Sequence, residues 1–178
     1  MNKPIRSMPV SLVLLCVSAL AKDPFDRPQL PVARNAASLT IAFADAALWD
    51  GKRIPRAMQC KPLGGDKPTS PSLLVTGLPE ATQNLVVYFA NPRIQHNHGL
   101  FKVTAQAGDA GWTVPAVRSG ANSLPSGVEI FDGGSTWGKA YSAPCPDHGT
   151  GFYTVTVYAL DAMGSAIGIG SRELGYAP

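Results

Sequence analysis

The sequence predicts an all-β domain in which short strands form a sandwich or barrel. Three observations lead to this fold class. The chain carries 18 glycines and 16 prolines, which divide it into short segments. Several of these segments alternate apolar and polar residues or are rich in β-branched and aromatic residues. No long stretch has the spacing of an amphipathic helix, so we expect only minor short helices.

Five segments carry the strand signal: residues 39–43, 73–75, 85–90, 100–104 and 152–160. The run Leu-Val-Val-Tyr-Phe-Ala at 85–90 is apolar throughout, which is typical of a strand buried on both faces. Asn91 and Pro92 end it, because proline cannot donate a hydrogen bond to a sheet. The alternation at 152–160 predicts a half-buried strand.

Two further regions have weaker signals. Residues 105–150 are rich in Gly, Ser, Pro and Asp and predict a long loop region, of the kind that is uncommon unless it is functional. Residues 171–174 follow a Gly-rich stretch, and we expect them to form one helical turn. The strand predicted at 100–104 is expected to begin just after His98.

The N-terminus has the pattern of a secretory signal peptide. Lys3 and Arg6 supply a basic start, residues 10–17 form a short apolar run, and Ala19-Leu20-Ala21 is a small-x-small cleavage site. The run is shorter than the roughly 20 apolar residues of a permanent membrane span. We therefore expect residues 1–21 to be removed and the protein to be periplasmic or secreted.

Lipidation of Cys16 is an alternative fate for the N-terminus, although Leu15 stands where a small residue is usual. After the signal peptide, residues 22–38 read as a proline-rich leader that is extended or mobile. The remaining residues, 39–178, are predicted to form a single domain.

The charge of the chain argues against a nucleic-acid partner, and its hydropathy argues against a transmembrane segment. The formal charge of +3 falls to +1 when Lys3 and Arg6 are removed, and no Lys/Arg cluster remains, so nucleic acid is not expected. No second hydrophobic stretch approaches membrane-spanning length, so no transmembrane segment is expected in the mature protein.

Two cysteines, Cys60 and Cys145, remain after cleavage. An even number in an exported chain favours a disulfide. Two buried free thiols and metal ligation remain as alternatives. The two residues form no C-x-x-C pair, which excludes a thioredoxin-like redox motif.

Catalysis finds little support in the sequence, so we expect no enzyme and no cofactor. The segment 133–137 lacks the final glycine of a nucleophile elbow, and the twelve acidic residues form no motif. His96, His98 and His148 with the two cysteines have no zinc-finger spacing, so no metal site is predicted. His96 is expected to be an exposed loop residue.

Four stretches, read in order, resemble the phosphatidylethanolamine-binding protein family, in particular its bacterial kinase-inhibitor-like branch. They are residues 54–79, 85–93, 98–101 and 143–161. The last is the most specific: it reads A-P-C-P-D-H-G-T-G-F-Y and continues into V-Y-A-L-D, where the family has G-P-C-P-P-x-G-x-H-R-Y and V-Y-A-L-D. The resemblance covers about 39–178. It implies an antiparallel β-sandwich with a pocket for phosphate-like or carboxylate head groups at one end.

The family lines this pocket with an Asp, two His and a Tyr, whose positions fall here on Asn91, His98, Gly151 and Tyr153. Asn91 cannot pair with an imidazolium as Asp does, and the second His is absent. Arg93 could restore positive charge, and His148 could replace the missing His. The resemblance thus implies a ligand site made of Asn91, Arg93, His98, Pro144, His148 and Tyr153.

Two further expectations follow from the resemblance. His98 should titrate near pH 6.5, as an ordinary histidine does, and should hold an anion more weakly than its family counterpart. The C-terminal segment is shorter than the bacterial family usually carries, which would leave the pocket more open.

The sequence therefore predicts an exported, non-catalytic protein that binds a small polar or anionic ligand, such as a lipid head group. The alternative is a protein-interaction or inhibitor module that acts through its surface on a protein partner. A hydrolase or a metal protein is a third hypothesis, with the weakest sequence support.

Overall fold

The computed structural model describes residues 28–104, 107–108, 111–131, 140–145 and 151–178. The predicted signal peptide, Cys16 and His148 lie outside this part of the chain. Within it, ten strands form two sheets: β1 Val32–Ser38, β2 Thr40–Phe43, β3 Leu73–Thr76, β4 Asn84–Asn91, β5 His96–Thr104, β6 Ala107–Gly108, β7 Gly111–Val114, β8 Val128–Ile130, β9 Gly151–Leu160 and β10 Ala166–Ala177. The helical content of these residues is two 3₁₀ turns, at Arg56–Met58 and Lys61–Leu63.

The larger sheet has the strand order β1-β10-β9-β4-β5-β8, and the smaller sheet has the order β2-β3-β7-β6. All neighbouring strands are antiparallel except β1 and β10, which are parallel. The sandwich predicted from the sequence is therefore confirmed, including its antiparallel character.

The main core lies between the two sheets. β4 and β9 are central strands, and their inward side chains Leu85, Val87, Val155 and Val157 are fully buried. From the smaller sheet, side chains of β2, β3 and β7 join the same cluster. The outward residues of β4 form a second apolar cluster on the other face of the larger sheet. This explains why 85–90 is apolar throughout: β4 is buried on both faces, as predicted.

The leader differs from its prediction near its end. Residues 32–38 are extended, but they form β1 and pair with β10, so the sheet begins seven residues before the predicted boundary at 39. The N–H of Ala166 donates to the carbonyl of Pro31 at 2.7 Å, and that of Leu39 donates to Ile169 at 3.0 Å. The edge of β10 supplies the backbone hydrogen-bond partners that residues 32–38 would lack in an isolated leader.

The helical turn predicted at 171–174 is wrong, because these residues belong to β10. Ser171, Arg172 and Glu173 are paired with β9, and the Ser171 hydroxyl is 2.8 Å from that of Thr156. The Arg172 guanidinium stacks on the ring of Phe43 at 4.4 Å and donates to the carbonyl of Ile41. Pairing with β9 and contact with the smaller sheet outweigh a weak local helical preference.

Residues 105–150 contain more structure than a long loop. Strands β7 and β6 extend the smaller sheet beyond β3, with β6 at its edge, and β8 forms an edge of the larger sheet. The strand predicted at 100–104 begins earlier, at His96, so His98 lies within β5 rather than before it. The register of β4 and β5 shifts between Phe89 and Ala90, which places a bulge at His98.

Candidate functional site

A polar cluster, the His98 cluster, lies at one end of the larger sheet, where β4 ends and β5 and β9 begin. The ring of His98 in β5 contacts the ring of Tyr153 in β9 edge-on, with centroids 4.9 Å apart. His96 contacts His98 in the same way at 4.7 Å. The structure therefore brings together two of the predicted site residues, His98 and Tyr153, and adds His96, which we expected in an exposed loop.

His96 is half-buried and is the first residue of β5. A signal for its position was present in the sequence, because residues two apart in a strand point to the same face. The His-x-His spacing of His96 and His98 could therefore have placed the two rings together once the strand was extended to residue 96.

A crossing segment, residues 140–145, covers the cluster from the side of β5. The N–H of Ser142 donates to the carbonyl of His98 at 2.6 Å, and Nδ1 of His98 lies 3.2 Å from the carbonyl oxygen of Ser142. Gly99 makes this approach possible, because a Cβ there would overlap the carbonyl oxygen of Ala140.

The contact with Ser142 determines which ring nitrogen of His98 carries the proton. A carbonyl oxygen only accepts, so Nδ1 carries the proton and Nε2 of the neutral ring is a hydrogen-bond acceptor. His98 is 7% exposed, and this burial lowers its pKa from 6.5 to about 4, with a smaller contribution from His96. The hydrogen bond to Ser142 acts in the opposite direction and is outweighed.

The expectation of an ordinary His98 that titrates near pH 6.5 is therefore wrong. The ring is uncharged at neutral pH because burial penalises its charged form. At pH 7 it offers an acceptor and a polarisable ring, and it has no positive charge with which to attract an anion.

Asn91 is buried at the end of β4 and pairs with His96 across the strands. Its side-chain oxygen accepts the backbone N–H of Arg93 at 3.1 Å. This is the local turn that asparagine favours after a strand. The carboxamide oxygen of Asn91 is therefore engaged with the chain's own backbone.

Arg93 lies away from the His98 cluster. Its guanidinium stacks on the rings of Phe152 and Tyr176, at 5.9 and 5.6 Å from their centroids. Phe152 and Tyr153 are consecutive in β9 and so point to opposite faces of the sheet. Since Tyr153 belongs to the core between the sheets, Arg93 lies on the other face.

Pro144 is buried in the crossing segment, and its carbonyl accepts the N–H of Cys60 at 2.9 Å. The neighbouring Cys145 forms a disulfide with Cys60, with Cα atoms 5.2 Å apart. Of the three alternatives for the cysteines, the structure thus has the disulfide. His148, the other predicted rim residue, is outside the described residues.

Tyr141 is a buried polar residue that the sequence analysis missed. It is 1% exposed, its ring meets Phe89 edge-on at 5.3 Å, and its hydroxyl has no hydrogen-bond partner among the described residues. Burial raises the pKa of this hydroxyl well above its usual range, and Tyr153 adds to the shift. The local sequence Ala-Tyr-Ser-Ala does not indicate that Tyr141 is buried, because its burial comes from contacts with β4 and β5.

Two kinds of feature are absent from the described residues. No group of three or more His, Cys, Asp or Glu side chains there could hold a metal ion. No helix in that part of the chain is long and apolar enough to cross a membrane.

Fold and cluster together define a two-sheet β-sandwich protein with a polar cluster at one end of its larger sheet. A sequence profile of the phosphatidylethanolamine-binding protein family matches residues 44–175, well over half of the chain. The protein belongs to this family.

Solved structures are similar in fold. E. coli YbcL, described as a new member of the mammalian family, is 16% identical, with 78% of this chain and 96% of that chain covered and a TM-score of 0.50. A family homologue from Chlamydia trachomatis is 22% identical, with 81% and 98% covered and a TM-score of 0.46. No curated protein sequence matches the chain at a significant level.

Proposed function

We propose that this protein is an exported, non-catalytic member of the family whose His98 cluster binds a small polar ligand that donates a hydrogen bond. The observation that carries the proposal is the state of His98. Its Nδ1–H is directed to the Ser142 carbonyl at 3.2 Å, which leaves Nε2 as an acceptor beside the rings of His96 and Tyr153.

The same observation argues against a simple anion site at this place. A pKa of about 4 leaves His98 uncharged at neutral pH, and Arg93 is stacked on aromatic rings instead of facing it. A hydroxyl or an ammonium group suits an imidazole acceptor, whereas a carboxylate or a fully ionised phosphate offers only lone pairs to it. The sequence predicted a polar or anionic ligand. The proposed class is narrower: a polar ligand that donates a hydrogen bond.

Export is the second part of the proposal. The Cys60–Cys145 disulfide supports it, because disulfides persist in oxidising compartments. The predicted signal peptide at 1–21 supports it from the sequence. Intact mass of protein recovered from the periplasm tests it: a mass without residues 1–21 is expected, and a mass that includes them contradicts export by this route.

Histidine-selective NMR of the ¹⁵N-labelled protein at pH 7 tests the ligand class. We expect methylammonium and glycerol to shift the Nε2 resonance of His98, and sulfate and acetate, which have no proton to donate at pH 7, to leave it unchanged. The donor probes should also shift the resonances of the neighbouring His96 ring in the wild type but not in the His98→Gln variant. A response to sulfate or acetate alone would overturn the proposed class, and no response to any probe would favour the alternative of an interaction module acting through its surface.

A further inference from the structure

A basic groove lies beside the end of β10, separate from the His98 cluster. It has a volume of about 740 Å³, which is within the size range of small-molecule sites. The loop before β3 forms one wall and the last residues of β10 form the other. The residues that matter for its chemistry are Arg53, Arg56, Gln59, Leu63 and Tyr176.

The two walls are held together by the backbone. The N–H of Ile54 donates to the carbonyl of Tyr176 at 2.9 Å, and the N–H of Tyr176 donates to Lys52 at 3.0 Å. Buried Gln59 donates from Nε2 to the carbonyl of Ile54 at 2.9 Å. The disulfide at Cys60 fixes the far end of the same loop. The groove is thus preformed, which lowers the entropic cost of binding.

The groove carries two positive charges that no described residue neutralises by an ion pair. Arg53 and Arg56 are exposed and line the same groove, whose described lining contains no Asp or Glu and includes Pro178, the last residue of the sequence. Neither guanidinium forms an ion pair with any described residue, whereas half-buried Lys102 is paired with Glu129 at 2.9 Å. Two cations that face one concave surface favour an anion there.

The conformation of Arg56 is supported by a glycine. Gly64 has a φ of +101°, and a Cβ on it would lie 2.7 Å from Nε of Arg56. The Arg56 side chain therefore lies across Gly64 at the edge of the groove. A guanidinium held in this way loses less freedom when it grips an oxyanion with two hydrogen bonds.

The rest of the lining is apolar or aromatic. Leu63 is half-buried, and Tyr176 is 39% exposed, with its ring held by Phe152 at 5.0 Å and by Arg93. A bare ion would leave this surface unused. We infer that the groove binds an oxyanion with a small apolar substituent, such as a phosphate monoester, held by Arg53 and Arg56 with its substituent against Leu63 and Tyr176.

Calorimetric titration of the exported protein with phenyl phosphate and with inorganic phosphate tests this site. Phenyl phosphate should bind more tightly than phosphate. Arg53→Gln and Arg56→Gln should each weaken phenyl phosphate binding by about tenfold, the typical effect of losing one charge-assisted hydrogen bond. Arg34→Gln is the matched control, because Arg34 is an exposed arginine on β1 and its loss changes the net charge equally.

Three results would overturn the inference. They are no binding of phenyl phosphate, equal binding of both probes, and equal weakening by Arg34→Gln and Arg56→Gln, which would indicate unspecific attraction. Gly64→Ala adds a variant that keeps every charge, and it should weaken phenyl phosphate binding through Arg56. Because none of these substitutions touches His98, the outcome is independent of the proposed function.

A phosphate monoester could be a soluble metabolite or a lipid head group, and co-sedimentation distinguishes the two sources. Vesicles of phosphatidylcholine with phosphatidic acid should retain the protein if the head group is the ligand, and Arg56→Gln should abolish retention. Phenyl phosphate binding without retention assigns a soluble ester. Retention that survives in both arginine variants would contradict the site.

Discussion

The ring of Tyr153 lies over Gly151, and a Cβ on Gly151 would be 2.6 Å from both Cε2 and the hydroxyl oxygen of that ring. The two residues are neighbours on one face of β9, two positions apart. Gly151 stands where the family has a histidine. The absence of a side chain there lets the tyrosine ring lean along the strand, and this ring is the one that His98 contacts.

Placing a side chain at Gly151 should therefore disturb Tyr153. Gly151→Ala is expected to reduce the free energy of unfolding by about 1–3 kcal/mol, the usual cost of overpacking a buried position. Urea unfolding followed by tryptophan fluorescence measures the change. In the Tyr153→Leu background the same alanine should cost less, because the ring is gone. An equal cost in both backgrounds would show that the two residues are not coupled.

Buried His98 should make the stability depend on pH. Its pKa is lowered to about 4 in the folded chain, while the unfolded chain has the ordinary value near 6.5. Between these values the unfolded state binds more protons. The stabilisation is thus fully present above about pH 6.5 and is lost as the pH falls to about 4, by roughly 3 kcal/mol.

Urea unfolding of the wild type and His98→Gln across this pH range measures that contribution. The carboxylates titrate in both proteins, so the difference between the two curves isolates His98. The His96→Gln variant is the matched control and should retain most of the wild-type pH dependence, because burial is the larger cause of the lowered His98 pKa and His96 is the smaller one. Parallel curves for the wild type and His98→Gln would contradict a neutral buried His98.

Tyr141 offers a substitution that should not harm the fold. Its hydroxyl is buried and has no hydrogen-bond partner in the part of the chain that the structure describes, and such a group costs about 1–3 kcal/mol of desolvation. Tyr141→Phe keeps the edge-on contact with Phe89 and removes the hydroxyl, so the melting temperature should stay unchanged or rise. Tyr141→Leu removes the ring as well and should lower it. A clear loss of stability in Tyr141→Phe would mean that the hydroxyl has a partner.

The Cys60–Cys145 disulfide closes a loop with a sequence separation of 85 residues. In the chain-entropy account such a link stabilises the fold by about 4 kcal/mol. The Cys60→Ala/Cys145→Ala variant should therefore unfold at a lower urea concentration than the wild type. The same difference should appear when the wild type is reduced, whereas the variant should not respond to reductant. Two reactive thiols from these cysteines in the unreduced, denatured exported protein would contradict the disulfide.

Several elements were predictable because their signals are local. The apolar run of β4 and the alternation of β9 each reflect the sheet face that their own residues occupy, and Asn91-Pro92 ends β4 for a backbone reason. The sandwich was confirmed on the same basis. The motif of 143–161 indicated the family before any geometry was known, and the family profile confirmed it.

Residues 171–174 were mispredicted because their local preference is weak and their partners are distant. Thr156, Phe43 and Ile41 hold this segment, and all of them are distant in sequence. β1 shows the same effect: its proline-rich approach reads as a leader, and only the free edge of β10 makes it a strand.

The sequence by itself determined the strands that have a strong local signal, such as β4 and β9, the cysteines that were available to pair and the polar side chains that lie near the ends of β4, β5 and β9. Only the tertiary structure decided what those side chains do. Ser142, 44 residues after His98, buries its ring and holds its proton, and Phe152 with Tyr176 draws Arg93 to the other face of the sheet. Charge state and side-chain direction depend on burial and on partners from distant segments, and a sequence pattern records neither.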